Sequence, residues 1–222
     1  MNFNQHFGAF FRTEQIIMAQ NQDAQLNIFT KKHLYGLYFL LSLINRKSVV
    51  KDGRELSIES LCYRPVSGKG CYRPSPLDLW KMDMGTLAND TDLMYTAMCI
   101  EVPQTNSYTS RIPCSDENEI PIIQESIFGG ITCDEEHDKV SNHTIPCEHC
   151  WVQAKALMST YLLNNDEFTS ESAEEWEKQV LIDSIHKFNA DNGSFIEEYS
   201  KYFQVDSLGN VNATGGKILN IH

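Results

Sequence analysis

Six side chains that could bind a metal ion lie within a short stretch of the sequence: Cys133, His137, His143, Cys147, His149 and Cys150. Thiolate sulfur and imidazole nitrogen are the usual ligands of structural Zn²⁺, and four of these six would complete a tetrahedral site. The stretch also contains Pro-Cys-x-x-Cys, which is half of the zinc deaminase signature. A zinc site that uses Cys133, Cys147 and Cys150 is therefore one hypothesis for this chain.

The deaminase hypothesis fails because its other half is missing. That chemistry needs a His-x-Glu motif upstream, and none of the seven histidines begins one. A redox role for Cys147 and Cys150 would need a helix to begin at the first cysteine, whereas Pro146 favours a loop. Disulfide formation is the competing use of these cysteines, and it is the one that we expect.

Other catalytic patterns are absent from the sequence. There is no Gly-x-Ser-x-Gly, no phosphate-binding glycine loop and no His-Glu-x-x-His. Phe128-Gly129-Gly130 is too short to bind phosphate and predicts a turn, while the acidic run from Cys133 to Asp138 lacks the ligand spacing of a calcium loop. We therefore expect a binding protein that is not an enzyme and needs no cofactor.

Cysteines and glycosylation sequons indicate the compartment. The seven cysteines are Cys62, Cys71, Cys99, Cys114, Cys133, Cys147 and Cys150. Four Asn-x-Ser/Thr sequons begin at Asn89, Asn142, Asn192 and Asn212. Each sequon lies in a polar, turn-like context where a glycan could stay in solvent. Together these features predict an oxidising lumen or the cell exterior.

Composition and charge narrow the choice of partner. The 222 residues are 41% hydrophobic, which is enough to build a substantial core, and we expect a single domain. Eighteen basic against thirty acidic residues give a formal charge of −12. No Lys/Arg cluster is present to neutralise a phosphate backbone, so a nucleic acid partner is not expected.

One apolar run, Leu34 to Ile44, raises the question of a membrane span. Its eleven residues are too few, because a spanning helix needs about 20. The run therefore predicts a buried helix. The residues after Met1 do not resemble a signal peptide, so an oxidising compartment implies that the chain is part of a larger protein.

The pattern of elements predicts an α+β fold. The expected order is a strand near Phe10 to Ala19 with apolar contacts on both faces, a helix from Lys31 to about Lys47 capped by Thr30, a central strand in Gln153 to Asn165, a helix opened by a capping box at Ser172, and a strand in Lys217 to His222. This is a split βαβ order, the ferredoxin-like arrangement, with an irregular cysteine-bearing insertion over residues 50–150. Trp80 and Trp176 are predicted in the core.

Several motifs resemble one protein family in order along the chain. "NQHFGAFFRTEQIIM" is similar to the segment that begins the middle lumenal domain of Niemann-Pick C type sterol transporters. "SIESLCYRP", "GCYRPSPLDLW", "IFGG", "ALMSTYLLNN" and "AEEWEKQVL" follow in the family's order. The first motif is the specific one, and the preserved order extends the resemblance over nearly all of the chain. Ala19 to Thr30 departs from the pattern, because it lacks the Pro- and Gly-rich first loop of the family.

The resemblance implies a porter-domain-like lumenal domain of a membrane transporter in the Patched and resistance-nodulation-division superfamily. Such a domain receives the soluble Niemann-Pick C type sterol carrier in the late endosome or lysosome and helps to pass cholesterol onward. The family pattern also pairs Cys62 with Cys71 and Cys99 with Cys114. Cys133 is then expected to pair with Cys147 or Cys150.

In the family, two loops at the far tip of the domain contact the carrier, and the second of them should fall near Met84 to Met94. The corresponding partner-binding residues here are expected to be Met84, Leu87, Asp90, Asp92, Leu93 and Met94. Methionine and leucine would offer adaptable apolar contacts, and the aspartates would favour a basic partner. The nearest alternative is a Patched-type receptor ectodomain that binds a lipid-modified ligand. A zinc-binding protein is the more distant alternative.

Overall fold

A computed structural model describes residues 11–19, 27–65, 68–98, 114–116, 119–133, 151–164, 170–190, 203–205 and 211–213. These residues form a mixed helix and sheet structure, as the sequence predicts. At its centre, a three-stranded antiparallel sheet has the order β1 (Phe11–Ala19), β7 (Ala156–Asn164) and β4 (Phe128–Gly129). The pairs Phe11–Asn164 and Ala19–Ala156 fix the register of β1 against β7.

Strand β7 is central, which confirms the prediction for this segment. Its residues alternate between buried and half-buried, with Leu157, Ser159, Tyr161 and Leu163 on the core face. Beyond β4, two loop segments continue the pairing on the same edge, because Pro74 accepts from the Thr160 amide at 2.9 Å and Tyr63 donates to the Leu162 carbonyl at 2.8 Å. Both edges of β7 are thus hydrogen-bonded.

Helix α1 (Lys31–Arg46) crosses the core face of this sheet. Thr30 is its N-cap, and its buried positions, which include Leu34, Leu37, Leu41 and Ile44, recur every three or four residues. The sequence predicted this helix correctly within one residue. Tyr161 donates to Asn45 at 3.2 Å, so the end of α1 lies near the Phe11 end of the sheet.

The stretch that the sequence marked as an irregular insertion contains short elements. They are the hairpin of β2 (Val49–Lys51) and β3 (Arg54–Leu56), helix α2 (Ile58–Leu61), a 3₁₀ helix (Pro76–Trp80), α3 (Met84–Asn89), α4 (Leu93–Met98) and α5 (Gln124–Ile127). Trp80 is buried, as expected, and Leu61, Leu77, Leu87 and Phe128 join the same core as α1 and β7. The described part of this stretch therefore helps to build the core.

A helical segment over residues 170–190 follows β7. It runs as α6 (Ser170–Trp176), a π turn (Glu177–Ile182) and α7 (Asp183–Ala190). Trp176 is fully buried, as predicted, and its ring meets Tyr161 edge-on with 5.8 Å between centroids. The helix begins at Ser170, earlier than the capping box at Ser172 predicted. The two extra residues, Ser170 and Glu171, are neither proline nor glycine, so their residue types allow the helix to begin earlier.

Arg12 ties the first strand to this helical segment. Its guanidinium binds Glu14 on β1 at 2.5 Å and also pairs with Glu174 and Glu177. The predicted pairing of Arg12 with Glu14 on one strand face is correct. The hydrogen bond and the negative charges of these glutamates raise the pKa of Arg12, which keeps the guanidinium charged.

The prediction that β1 makes apolar contacts on both faces is wrong. Ile16 is buried on the core face, whereas Thr13, Gln15 and Ile17 are exposed, and Ile17 is 58% accessible. The reason is that α1 and the helical segment pack on one side of the strand. The other side remains open in the part of the chain that the structure describes.

Four more short strands complete the described elements: β5 (Thr132–Cys133) pairs with β6 (Trp151–Gln153), and β8 (Phe203–Val205) pairs with β9 (Val211–Ala213). The predicted last strand, 217–222, lies outside the described residues. At the end of β4, Gly130 has φ +62°, and a Cβ there would lie 2.9 Å from the Lys155 Cβ. The turn predicted for Phe128 to Gly130 is thus only partly correct, because Phe128 and Gly129 form strand β4 and the chain bends at Gly130. Among the helices described, none combines the length and apolarity needed to cross a bilayer.

Candidate partner-binding surface

Helices α3 and α4 lie at the end of the domain remote from Phe11. The Ile28 amide donates to the Ala154 carbonyl at 3.0 Å, so α1 begins near the Ala19 end of β1. Lys31, in the first turn of α1, donates to the Ala88 carbonyl of α3 at 2.7 Å. We call residues 84–98 the distal surface. It lies on the side of the described structure opposite Phe11.

The predicted contact residues differ in their exposure. Leu87 is 0% exposed and belongs to the core, so its side chain is not available to a partner. Met84, Leu93 and Met94 are half-buried and pack against the core, each leaving part of its surface in solvent. Asp92 is exposed. The structure thus supplies three partly open apolar side chains and one exposed carboxylate.

Asp90 has an internal role that its prediction as a partner contact did not foresee. Its carboxylate accepts from Trp80 Nε1 at 2.7 Å, from Thr96 Oγ1 at 2.5 Å and from the Asp92 amide at 2.8 Å. These bonds join the 3₁₀ helix to α3 and α4. Asp90 therefore positions the distal surface. A sequence signal for this role exists, because an aspartate just before an apolar helical run often accepts from an amide two residues on.

Two titratable groups beside the distal surface, Asp83 and His33, have shifted pKa values. Asp83 caps α3 by accepting from the amide and the hydroxyl of Thr86, both at 2.6 Å, and these bonds lower the pKa of Asp83. Nearby, the imidazole of His33 in α1 is half-buried and contacts Thr30 Oγ1. Burial and the charge of Lys32 lower the pKa of His33. The Asp83 carboxylate thus keeps its negative charge further into the acid range than an unperturbed aspartate.

The Cys62–Cys71 disulfide is present, as expected from the family pattern, with 5.5 Å between the Cα atoms. It lies against β7, because Asn164 Nδ2 donates to the Cys62 carbonyl at 3.0 Å. Glu59 lies near these sulfurs, but the three residues do not form a metal site while the sulfurs are bonded to each other. The bond therefore anchors the loop between α2 and the 3₁₀ helix to the sheet.

The remaining cysteines are described only in part. Cys114 is disulfide-bonded to a cysteine whose side chain lies outside the described part. Only the backbone of Cys133 is described, and Cys99, Cys147 and Cys150 lie outside the described residues. Their pairing, and the zinc hypothesis for Cys133, Cys147 and Cys150, stay predictions.

A small cavity lies between α1, the 3₁₀ helix and β7. Its volume is about 20 Å³, and Arg73, Asp78, Asp116 and Tyr161 are among its lining residues. Burial raises the pKa of Tyr161 well above its usual value. A volume of this size holds about one water molecule, so this cavity is too small for a sterol.

The structure describes the four sequons to different extents. Asn89 is exposed at the last position of α3. Asn212 lies on β9 without a described side chain, and Asn142 and Asn192 lie outside the described residues. Asn89 is thus the sequon whose surroundings the structure defines.

Comparison with known proteins gives the class of this chain, which is a lumenal domain. The family model for the NPC1 middle luminal domain matches residues 1–201, and the chain belongs to that family. A relative, the NPC intracellular cholesterol transporter 1 homolog 1 of Caenorhabditis elegans, is 25% identical over 214 residues. The match covers 82% of this chain and 14% of the relative, so the chain spans a small part of a much longer protein. This membership favours the sterol-transporter interpretation over the Patched-type receptor.

We expect Asp90→Ala to lower the free energy of unfolding by about 1.5 kcal/mol, because it leaves the buried Trp80 indole N–H without its charged acceptor. Chemical denaturation monitored by tryptophan fluorescence measures this loss. Asp90→Asn keeps an acceptor oxygen and should cost less. Equal stability of the alanine variant and the unchanged protein would show that the Asp90 hydrogen bonds do not hold the distal surface.

Proposed function

We propose that this domain docks a soluble Niemann-Pick C type sterol carrier through the distal surface and helps to transfer sterol toward the membrane part of its parent protein. The family match to a middle luminal domain carries the proposal. The compartment that fits this role is the lumen of the late endosome or lysosome. The carrier is the expected partner, and the sterol passes from it without a cofactor.

The arrangement of elements supports a ferredoxin-like, porter-domain-like core. Strand β7 lies between β1 and β4, α1 connects β1 to the stretch that ends in β4, and a helical segment follows β7. These are five of the six elements of a βαββαβ order. The sixth would be a strand at 217–222 on the free edge of β1, and it would bring both chain ends to the side opposite the distal surface.

The chemistry of the distal surface fits a protein partner. Leu93 and Met94 follow the exposed Asp92 in the chain, Met84 follows Asp83, and methionine side chains adapt to uneven apolar surfaces. Asp83 adds a second exposed carboxylate at the start of α3. Apolar contacts flanked by acidic groups favour a carrier with an apolar patch and basic neighbours.

Titration of the chain with the sterol-loaded carrier of the same organism tests the proposal. We expect Met94→Asp to weaken binding at least about tenfold, because it places a charge in an apolar contact. Asp92→Lys should weaken binding of a basic partner and reduce the rate of association. Binding should also differ between about pH 5 and about pH 7, because histidines gain charge over that range while the Asp83 carboxylate, whose pKa is lowered, stays ionised.

Val50→Asp provides the matched control. Val50 is 75% exposed on the β2–β3 hairpin, which follows the end of α1 remote from the distal surface. Its substitution should leave both folding and affinity unchanged. Thermal unfolding of each variant separates loss of contact from loss of fold, because Met94 packs partly on the core. Unchanged affinity in both Met94→Asp and Asp92→Lys would remove the distal surface from the interface, and no binding at either pH would refute docking.

A further inference from the structure

We propose that Asn89 carries an N-linked glycan that projects from the distal surface into solvent. The sequon is Asn89-Asp90-Thr91, at the junction of α3 and α4. Membership in a family of lumenal domains places the chain where oligosaccharide transfer occurs. The proposal concerns covalent modification and does not require carrier docking, but it constrains docking, because Asn89 lies within the distal surface and a docked carrier would have to leave room for the glycan.

The side chains of the three sequon residues have different environments in the folded domain. Asn89 and Thr91 are exposed, whereas the carboxylate of Asp90 turns inward to Trp80 Nε1 and Thr96 Oγ1. The middle residue therefore holds the backbone while its neighbours face water. The α3 backbone ends here as well, since the Asp90 amide donates to the Thr86 carbonyl at 3.1 Å. A sugar on Asn89 would displace none of these bonds.

The polarity of the site also suits a glycan. Asn89 is the last residue of a six-residue helix whose buried positions are Leu87 and Ala88, so the apolar side of α3 faces the core and Asn89 faces away from it. A glycan needs full hydration, and attachment at a buried position would prevent folding. Asn89 satisfies this condition without a change in the described fold.

The modification is a group transfer that precedes folding. The Asn89 Nδ2 forms a bond to C1 of the first sugar of a polyprenyl-diphosphate-linked oligosaccharide. The C1–oxygen bond to the diphosphate breaks, polyprenyl diphosphate leaves, and Nδ2 loses one proton. The folded structure does not direct this step, but it determines whether the product can be accommodated.

Site-specific mass spectrometry of the chain secreted from insect cells tests the proposal. Enzymatic deglycosylation in heavy-oxygen water should convert residue 89 to labelled aspartate. Thr91→Ala should abolish this signal, while Thr91→Ser should keep it, and both should fold normally because Thr91 is exposed. An unmodified Asn89 in folded, secreted protein would overturn the proposal.

The outward projection has its own test. Peptide-N-glycosidase should release the Asn89 glycan from the folded protein as completely as from the denatured protein. Release only after denaturation would show that the sugar is shielded, which contradicts its exposed position. Carrier affinity plays no part in either measurement, so failure of the docking proposal would leave this result intact.

Discussion

Replacing Trp176 with alanine is expected to lower the free energy of unfolding by about 3 to 5 kcal/mol. The side chain is fully buried and meets Tyr161 edge-on, so truncation removes a large apolar surface and leaves a cavity under the helical segment. For a domain of this size, the melting temperature should fall by on the order of 10 °C. Differential scanning calorimetry or urea unfolding measures the loss.

Two variants make the Trp176 result specific. Ile182→Ala changes an exposed residue of the same helical segment and should alter stability by less than about 0.5 kcal/mol. Trp176→Phe keeps an aromatic ring against Tyr161 and removes an indole N–H that has no hydrogen-bond partner among the described residues, so it should cost far less than alanine. A loss as large for Ile182→Ala as for Trp176→Ala would mean that the burial of Trp176 does not set the stability of the segment, because alanine has the higher helix propensity at both positions.

The paired substitution Cys62→Ala with Cys71→Ala is expected to lower the free energy of unfolding by about 2 to 3 kcal/mol. The bond closes a loop with a sequence separation of nine, and its loss frees that loop in the unfolded state. Tyr63 within the loop and Pro74 just after it each make a strand-like contact with β7, so the order of the loop matters for the central sheet. Urea unfolding under non-reducing conditions measures the effect.

Arg64→Ala serves as the control within the same loop. Its guanidinium pairs with Glu59 at 3.1 Å on the surface, where both side chains are largely exposed, so removal should cost less than about 1 kcal/mol. Addition of a reductant to the double variant should then report only on the disulfides that remain, such as that of Cys114. A double variant as stable as the unchanged protein would show that the loop is held by its hydrogen bonds alone.

The parts of the fold that the sequence predicted are those with strong local signals. Thr30 and the leucines after it define α1, and the apolar run of β7 indicates a central strand. The Cys62–Cys71 bond followed from the order of family motifs. The predictions of α1 and β7 rest on residues close together in the chain, where spacing and capping determine structure directly, whereas the disulfide was implied by the family resemblance.

The sequence could not predict features that depend on distant packing. Whether the Ile17 face of β1 is covered depends on which side of the strand the helices occupy, and its alternation of apolar residues is the same in both cases. The buried position of Leu87 and the inward turn of Asp90 also depend on Trp80, which lies in another element. Asp90 was therefore interpreted as a contact for a partner when it in fact stabilises the surface that would receive one.

The central position of β7 delays formation of the sheet while the chain is synthesised and translocated into the lumen. Gln15 on β1 is 145 residues from Thr160, and Asn164 is 102 residues from Cys62, so the partners on both edges emerge long before β7 does. The sheet cannot close until the ribosome has passed residue 164 and the chain has been translocated. Until then the Cys62–Cys71 disulfide can form locally, while the hydrogen-bonding edge of β1 remains unpaired. Lumenal chaperones have their longest access to this domain during that interval.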